Sequence, residues 1–228
     1  MEKLFENLFI YEIVLLFLGV LLFIILCGSL VYIIIKKEDI KKLLYFFTIP
    51  IIMIAYPSIQ EVQIEKDKLA IIKYQDKVKN DPDNEEAKEK LAEVTDKLEK
   101  RASTPADMAV ISESYLLLEK PEKAVSFADK AINADTKAIA TKPKPSSDEA
   151  TPVEIVKENK VVENRVKSLQ GIKELADIQK EIKKDSTVLQ DSLRLKARIQ
   201  NIKTVNPKTQ LYFNRKYIQR KSSTLNTK

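Results

Sequence analysis

The sequence predicts an all-α chain: an N-terminal transmembrane helix hairpin, then antiparallel helical hairpins, a long amphipathic helix and a basic tail. Three observations lead there. The 228 residues hold three glycines and no tryptophan against 32% charged residues, too few turn-formers for a sandwich or a barrel. An uncharged run of 23 residues, Ile13 to Ile35, stands near the N-terminus. Beyond it, apolar residues recur at steps of three and four, the period of a helix buried along one face.

The first run would form a helix of roughly 34 Å, enough to cross a hydrocarbon core of about 30 Å. Before it stand Lys3 and the acidic Glu2, Glu6 and Glu12, the wrong sign for a signal-peptide n-region. Cys27 follows a large Leu26, which argues against lipoprotein processing and leaves a plain intramembrane thiol. A second uncharged run, Leu43 to Gln60, holds 18 residues with Pro50 and Pro57. Helical throughout, it would span about 27 Å, so it either crosses with local thinning or lies as an interfacial or re-entrant segment. Pro50 is expected to kink it, and Tyr45 and Tyr56 suit the two membrane–water interfaces. Residues 1–60 are therefore the expected lipid-bilayer anchor, with spans at 13–35 and 43–60.

Four lysines among the seven residues Lys36 to Lys42 put the connecting loop on the cytoplasmic side. With two crossings, everything after Gln60 lies outside the cytoplasm, at a plasma or inner membrane. With one, the soluble part is cytoplasmic.

From Ile59 to Lys79 the residues Ile59, Val62, Ile64, Leu69, Ile71, Ile72, Tyr74 and Val78 continue an amphipathic helix outward. Asp81-Pro82-Asp83-Asn84 stops it, and Asp83 with Glu86 has capping-box spacing for the next. Ala87, Leu91, Val94 and Leu98 stripe that second helix. Thr104-Pro105-Ala106-Asp107 supplies an N-cap hydroxyl, a first-turn proline and an acid for a third, which carries Met108, Ile111, Tyr115 and Leu118. Pro121 opens a fourth, with Ala124, Phe127, Ala128, Ala131 and Ile132 inward. Short connections make neighbours antiparallel.

Residues 66–135 resemble tetratricopeptide repeats, a family that pairs two helices in 34 residues with small side chains where they touch. Met108, Ile111, Ser112, Tyr115, Ala124 and Ala131 fall at that family's large, large, small, aromatic, small and small positions. Ala70, Tyr74 and Pro82 resemble the end of a preceding repeat, and Leu91 and Ala92 the large-small pair of another. The pattern departs at Ala128, where a bulky residue is usual, and at Thr136, where a proline closes the repeat. Its register is lost through Arg101 to Thr104. An ordinary helical bundle with close-packed alanines fits the same residues. The resemblance implies a surface that binds a protein partner or a second copy, built on packing residues rather than catalytic ones.

Residues 136–152 contain Pro143, Pro145, Ser146, Ser147 and Pro152 and read as a flexible linker. Residues 153–205 regain helical period through Val162, Val166, Leu169, Ile172, Leu175, Ile178 and Ile182, with a slip at Gly171. A coiled coil with a copy or partner, and a helix folded back on the hairpins, fit equally. Leu189, Leu193, Ala197 and Ile202 then continue a stripe that Asn206-Pro207 ends. Residues 206–228 are expected to be a basic, disordered tail.

From Arg194 to Lys228 there are ten Lys/Arg and no acid, leaving 29 basic against 33 acidic residues elsewhere. Arg194, Arg198, Arg215, Lys216, Arg220 and Lys221 are the candidate contacts to an anionic surface, with tyrosines and a phenylalanine interleaved. The first reading of this tail is one that only solvates; if it makes contacts, an anionic lipid surface or acidic polymer comes first, then an acidic protein, with nucleic acid last.

No catalytic residue, cofactor or metal site is expected. The chain has no histidine base, its one cysteine lies in the first apolar run, and Gly171 is the single glycine beyond that run. Glu85/Glu86 and Asp148/Glu149 read as capping and solvated groups. Two functional expectations follow: a membrane-anchored interaction scaffold or assembly factor, or a self-associating structural stalk moored by its basic tail.

Overall fold

The computed structural model describes residues 10–36, 45–141, 152–185 and 192–219. They are helical, with no strand among the described residues. The chain divides into two compact units, Met1–Asp67 and Lys68–Lys228.

In the first unit, α1 (Ile10–Lys36) turns nearly all its apolar surface outward, with 6% of its most apolar window buried. Among the described residues it is the one helix long and apolar enough to cross a membrane. Helix α2 (Thr48–Asn80) begins with an apolar stretch, but Thr48 to Gln60 covers only about 20 Å before charged residues begin. The second crossing expected over 43–60 therefore lacks a helix of matching length and composition among the described residues. Pro50 falls in the first turn of α2, where its missing N–H leaves no bond unmade; Pro57 is the proline inside the helix.

The two helices meet at Gly19. A Cβ there would stand 3.0 Å from Met53 Cβ and Ile54 Cγ1 and 3.3 Å from the Pro50 carbonyl, so the bare backbone sets the approach. Phe23 meets Phe47 edge-on, ring centroids 5.6 Å apart.

In the second unit, α2 continues with Ile71 and Val78 fully buried, while Leu69 and Ile72 stay exposed. Helix α3 (Glu85–Glu99) starts one residue later than the Asp83 cap predicts. Asn84 is the cap, its side chain accepting from Ala87 N at 2.8 Å, while Asp81 accepts from the Asp83 N–H. The stripe Ala87, Leu91, Val94 and Leu98 is buried as its spacing predicts. Helix α4 (Pro105–Leu117) has the expected Thr104 cap, which accepts from Asp107 N at 3.1 Å, with Pro105 in the first turn.

Helix α4 is buried on more than one face: Leu116 and Leu117 join Ile111, Ser112, Ser114 and Tyr115, while Met108 and Leu118 are half-exposed. Such burial places it at the centre of the unit. Helix α5 (Pro121–Thr141) pairs with α4 and runs into the residues expected to start a linker at 136. Residues 142–151, the rest of that linker, lie outside the described residues. Helix α6 (Pro152–Lys184) packs on α5 and α4, so the fold-back arrangement is the one observed. Arg165 grips Asp135 through two bonds of 2.5 and 2.8 Å, and Lys173 reaches Asp129 at 2.6 Å.

Helix α7 (Ser192–Asn201) buries Leu195 and Ile199, two residues on from the predicted Leu193 and Ala197, while Ile202 just beyond it is buried as predicted. Leu193 and Ala197 face out, and Leu189 lies outside the described residues. The turn after it rests on Gly171, where a Cβ would come within 2.4 Å of Thr204 Oγ1 and Val205 Cγ2. The slip at Gly171 is thus a seat for a returning chain.

The tail departs most from expectation. Asn206 caps α8 (Pro207–Phe213), its side chain accepting from Lys208 N at 2.9 Å, and a π-turn covers Asn214–Gln219. Tyr212 and Phe213 have no exposed surface. Residues 206–219 are folded rather than disordered, because two large aromatic side chains each contribute on the order of 1.5–3 kcal/mol by burial.

Candidate functional site

Two clusters stand out in the second unit, one where α4 meets α3 and α5, and one where the C-terminal arm lies down. In the first, the Tyr115 hydroxyl sits between the Asp96 and Glu99 carboxylates, 3.1 Å from Asp96, and accepts from Lys123 Nζ at 3.1 Å. Burial and both carboxylates hold its pKa far above the ordinary phenol value. The Tyr115 and Phe127 rings lie 5.8 Å apart, and the Lys123 ammonium stands 4.6 Å above the Tyr115 ring. One turn earlier, Ser112 Oγ donates to the Ala124 carbonyl at 2.7 Å. Ile111, Ser112, Tyr115, Ala124 and Ala131 are all fully buried, so these candidate residues pack the interior and present nothing to a ligand.

The second cluster is built on the C-terminal end of α4. The amide of Lys120 donates to the Tyr115 carbonyl and that of Glu119 to Leu116, the paired bonds that close a helix through a left-handed residue. Glycine is usual there, yet Glu119 holds φ 59°. Its carboxylate receives the Lys216 ammonium, and its carbonyl accepts from Lys183 Nζ at 2.5 Å. Burial pushes Lys216 down to about 8, with the Lys88 ammonium adding to it and Glu85 opposing.

Around this pair the arm is fastened at both ends. The Tyr212 hydroxyl donates to the Leu117 carbonyl at 3.0 Å. Thr209 Oγ1 donates to Glu113 at 2.5 Å, and Glu113 also accepts from the buried Lys79 at 3.0 Å. Lys208 meets Asp76 at 3.2 Å, and Arg215 donates to the Asn80 carbonyl at 2.9 Å. From α6, Gln179 Nε2 donates to the Leu116 carbonyl at 3.2 Å and the Tyr217 hydroxyl at 3.0 Å. Among the described residues two buried acceptors have no partner, Gln179 Oε1 and Asn214 Oδ1.

This arrangement redirects the cations assigned to an anionic surface. Arg198 pairs with Glu181 on α6 at 2.7 Å, Arg215 with a backbone carbonyl of α2, and Lys216 with Glu119. Arg194 is exposed. Arg220 and Lys221 lie outside the described residues. Sequence reasoning missed Asp76, Glu113, Glu119 and Gln179, and no local signal marks them: each matters through a partner far along the chain. A glutamate just past a helix end is even the reverse of the glycine rule.

An open groove of ≈ 520 Å³ lies between Thr136 and the α6 residues Asn159 to Gln170, floored by Val162 and Val166. Among the described residues no group of three or more His, Cys, Asp or Glu is placed to hold a metal. The chemistry of both clusters is that of packing, ion pairing and capping. The chain is thus all-helical, with one membrane-length apolar helix among the described residues and a second unit closed by its own C-terminal arm. No protein-family model, curated protein or solved structure matches it.

Proposed function

We propose that this chain is a membrane-anchored, non-catalytic scaffold or assembly factor, with a tetratricopeptide-like helical module that binds a protein partner. The observation that carries the reading is the outward apolar surface of α1. Ile10, Phe17, Ile24 and Ile35 are each more than three-fifths exposed, which in water would be an uncovered apolar rod and in lipid is a matched one. The tetratricopeptide likeness is supported by the Ser112–Ala124 contact and by Ala124 and Ala131, the two small positions, buried without exposure on α5. Under this reading the second unit lies in the cytoplasm if α1 alone crosses, and outside it if residues 43–60 cross as well.

The moored-stalk alternative is less well supported, because Arg198, Arg215 and Lys216 are committed to partners within the chain. The test separates the two. The full chain, cross-linked in its own membrane and purified in detergent, should retain the same protein at moderate salt and lose it in Ala124→Leu. A chain that instead sediments with anionic vesicles and releases as salt screens it would favour the stalk.

A further inference from the structure

The C-terminal arm occupies a seat that has the makings of a peptide site. Its floor is formed by the ends of α4, α2 and α6, which offer three carboxylates, Asp76, Glu113 and Glu119, and the carbonyls of Asn80 and Leu117. The arm answers group for group with Lys208, Thr209, Lys216, Arg215 and Tyr212, on a helix that buries the Tyr212–Phe213 pair. Charge complementarity and aromatic anchors are what a helix-binding groove uses to select its ligand.

Three features mark this docking as less settled than a core contact. The Lys208–Asp76 ion pair and the Arg215 bond to the Asn80 carbonyl lie at the exposed rim, where an ion pair contributes little and is screened by salt and a hydrogen bond competes with water. Asn214 Oδ1 on the arm and Gln179 Oε1 on α6, whose amide nitrogen donates to Tyr217 of the arm, are buried without partners among the described residues, a cost the docked arm carries. The arm ends in a π-helical turn, a rare winding that is frequent at functional sites.

We propose that Pro207–Gln219 is a detachable strap, held in cis in a groove that recognises a basic, tyrosine-bearing amphipathic helix. The occupant that fits by construction is the same segment of a second copy of this chain. While the strap is down the groove is closed; when it lifts, the arm of another copy takes its place. This inference concerns the second unit alone and stands whether or not the partner reading above holds.

The probe is a labelled peptide with the sequence of residues 206–219, titrated by fluorescence anisotropy against the full chain in detergent. Lys216→Glu sets two carboxylates face to face at Glu119 and loosens the strap without altering the groove. A groove open more often binds in proportion, so the peptide should bind this variant about tenfold more tightly than wild type. Adding Glu119→Lys restores an opposite-charge pair in cis, and uptake should fall back to the wild-type level or below. A second chain, Lys208→Ala with Arg215→Ala, loses only rim contacts and should show a smaller gain, with helical content unchanged by circular dichroism. Equal uptake by wild type and both loosened chains, or none by any of them, would overturn the proposal.

Discussion

Glu119 and Lys216 close the second unit by an ion pair in which each residue stands where its type is unfavourable. Glu119 adopts a left-handed backbone at φ 59°, and Lys216 carries its ammonium into a site that leaves its side chain 7% exposed. Glu119→Gly should relieve up to about 1 kcal/mol of backbone strain and still destabilise, because an unpaired buried cation costs about 1–3 kcal/mol. Adding Lys216→Met should recover most of the loss. Urea unfolding of the four chains in the cycle reads both effects, and a stabilised Glu119→Gly would mean the pair contributes nothing.

Gly171 should tolerate no side chain. A methyl group there meets Val205 and Thr204 at 2.4 Å, so the returning turn has to move. Gly171→Ala is expected to cost about 1–3 kcal/mol through overpacking, despite the gain in helix propensity. Amide hydrogen exchange should show protection falling across α7 and α8 while α3 to α5 keep theirs. Unchanged protection there would place the turn elsewhere.

Alkaline pH acts on two sets of groups with opposite sign. Tyr115, Tyr212 and Tyr217 all have folded pKa values raised above 10, chiefly by burial. They keep their protons after the unfolded chain has lost them, so their contribution is full below pH 10 and is lost as pH rises beyond it. Lys216, lowered from 10.5 to about 8, does the reverse: between those values the unfolded chain binds a proton the folded chain has released, and stability rises. Urea midpoints against pH should therefore rise slightly from 8 to 10 and then collapse, with tyrosinate absorbance appearing at unfolding. Lys216→Met should flatten the rise and leave the collapse.

These alkaline groups also mark the border of what the sequence discloses. Thr104 capping α4, the α3 stripe through Leu91 and Leu98, and the buried alanines of α5 rest on patterns within one or two turns, so they were legible. Asn84 rather than Asp83 as the cap, and the α7 register, were missed by one and two residues, because neighbouring side chains competed for the same role. The folded tail was not legible at all. Its bonds join residues such as Lys208 and Asp76, 132 positions apart, and Arg215 and Asn80, 135 apart. A run of cations reads as solvated until the carboxylates that receive it are known. The candidate packing residues other than the half-exposed Met108 were legible as buried positions, and what they present to a partner was not.

Ala124 packs without exposure, and its carbonyl accepts from Ser112. Ala124→Leu adds three carbons at that contact and should lower stability by about 1–3 kcal/mol. Ser112→Ala should cost about 0.5–1.5 kcal/mol, the net worth of one hydrogen bond. Thermal unfolding by circular dichroism checks both, and an unchanged midpoint for Ala124→Leu would deny that α4 and α5 meet there.

The exposed apolar length of α1 bears on everything else, and extraction from native membranes tests it most directly. Membranes carrying the full chain are washed with high salt and then with alkaline carbonate, which strips peripheral proteins and unfolds the second unit. A chain held by α1 stays in the pellet through both washes and leaves it only with detergent. Release into the supernatant by either wash, as a monodisperse species without detergent, would contradict the anchor.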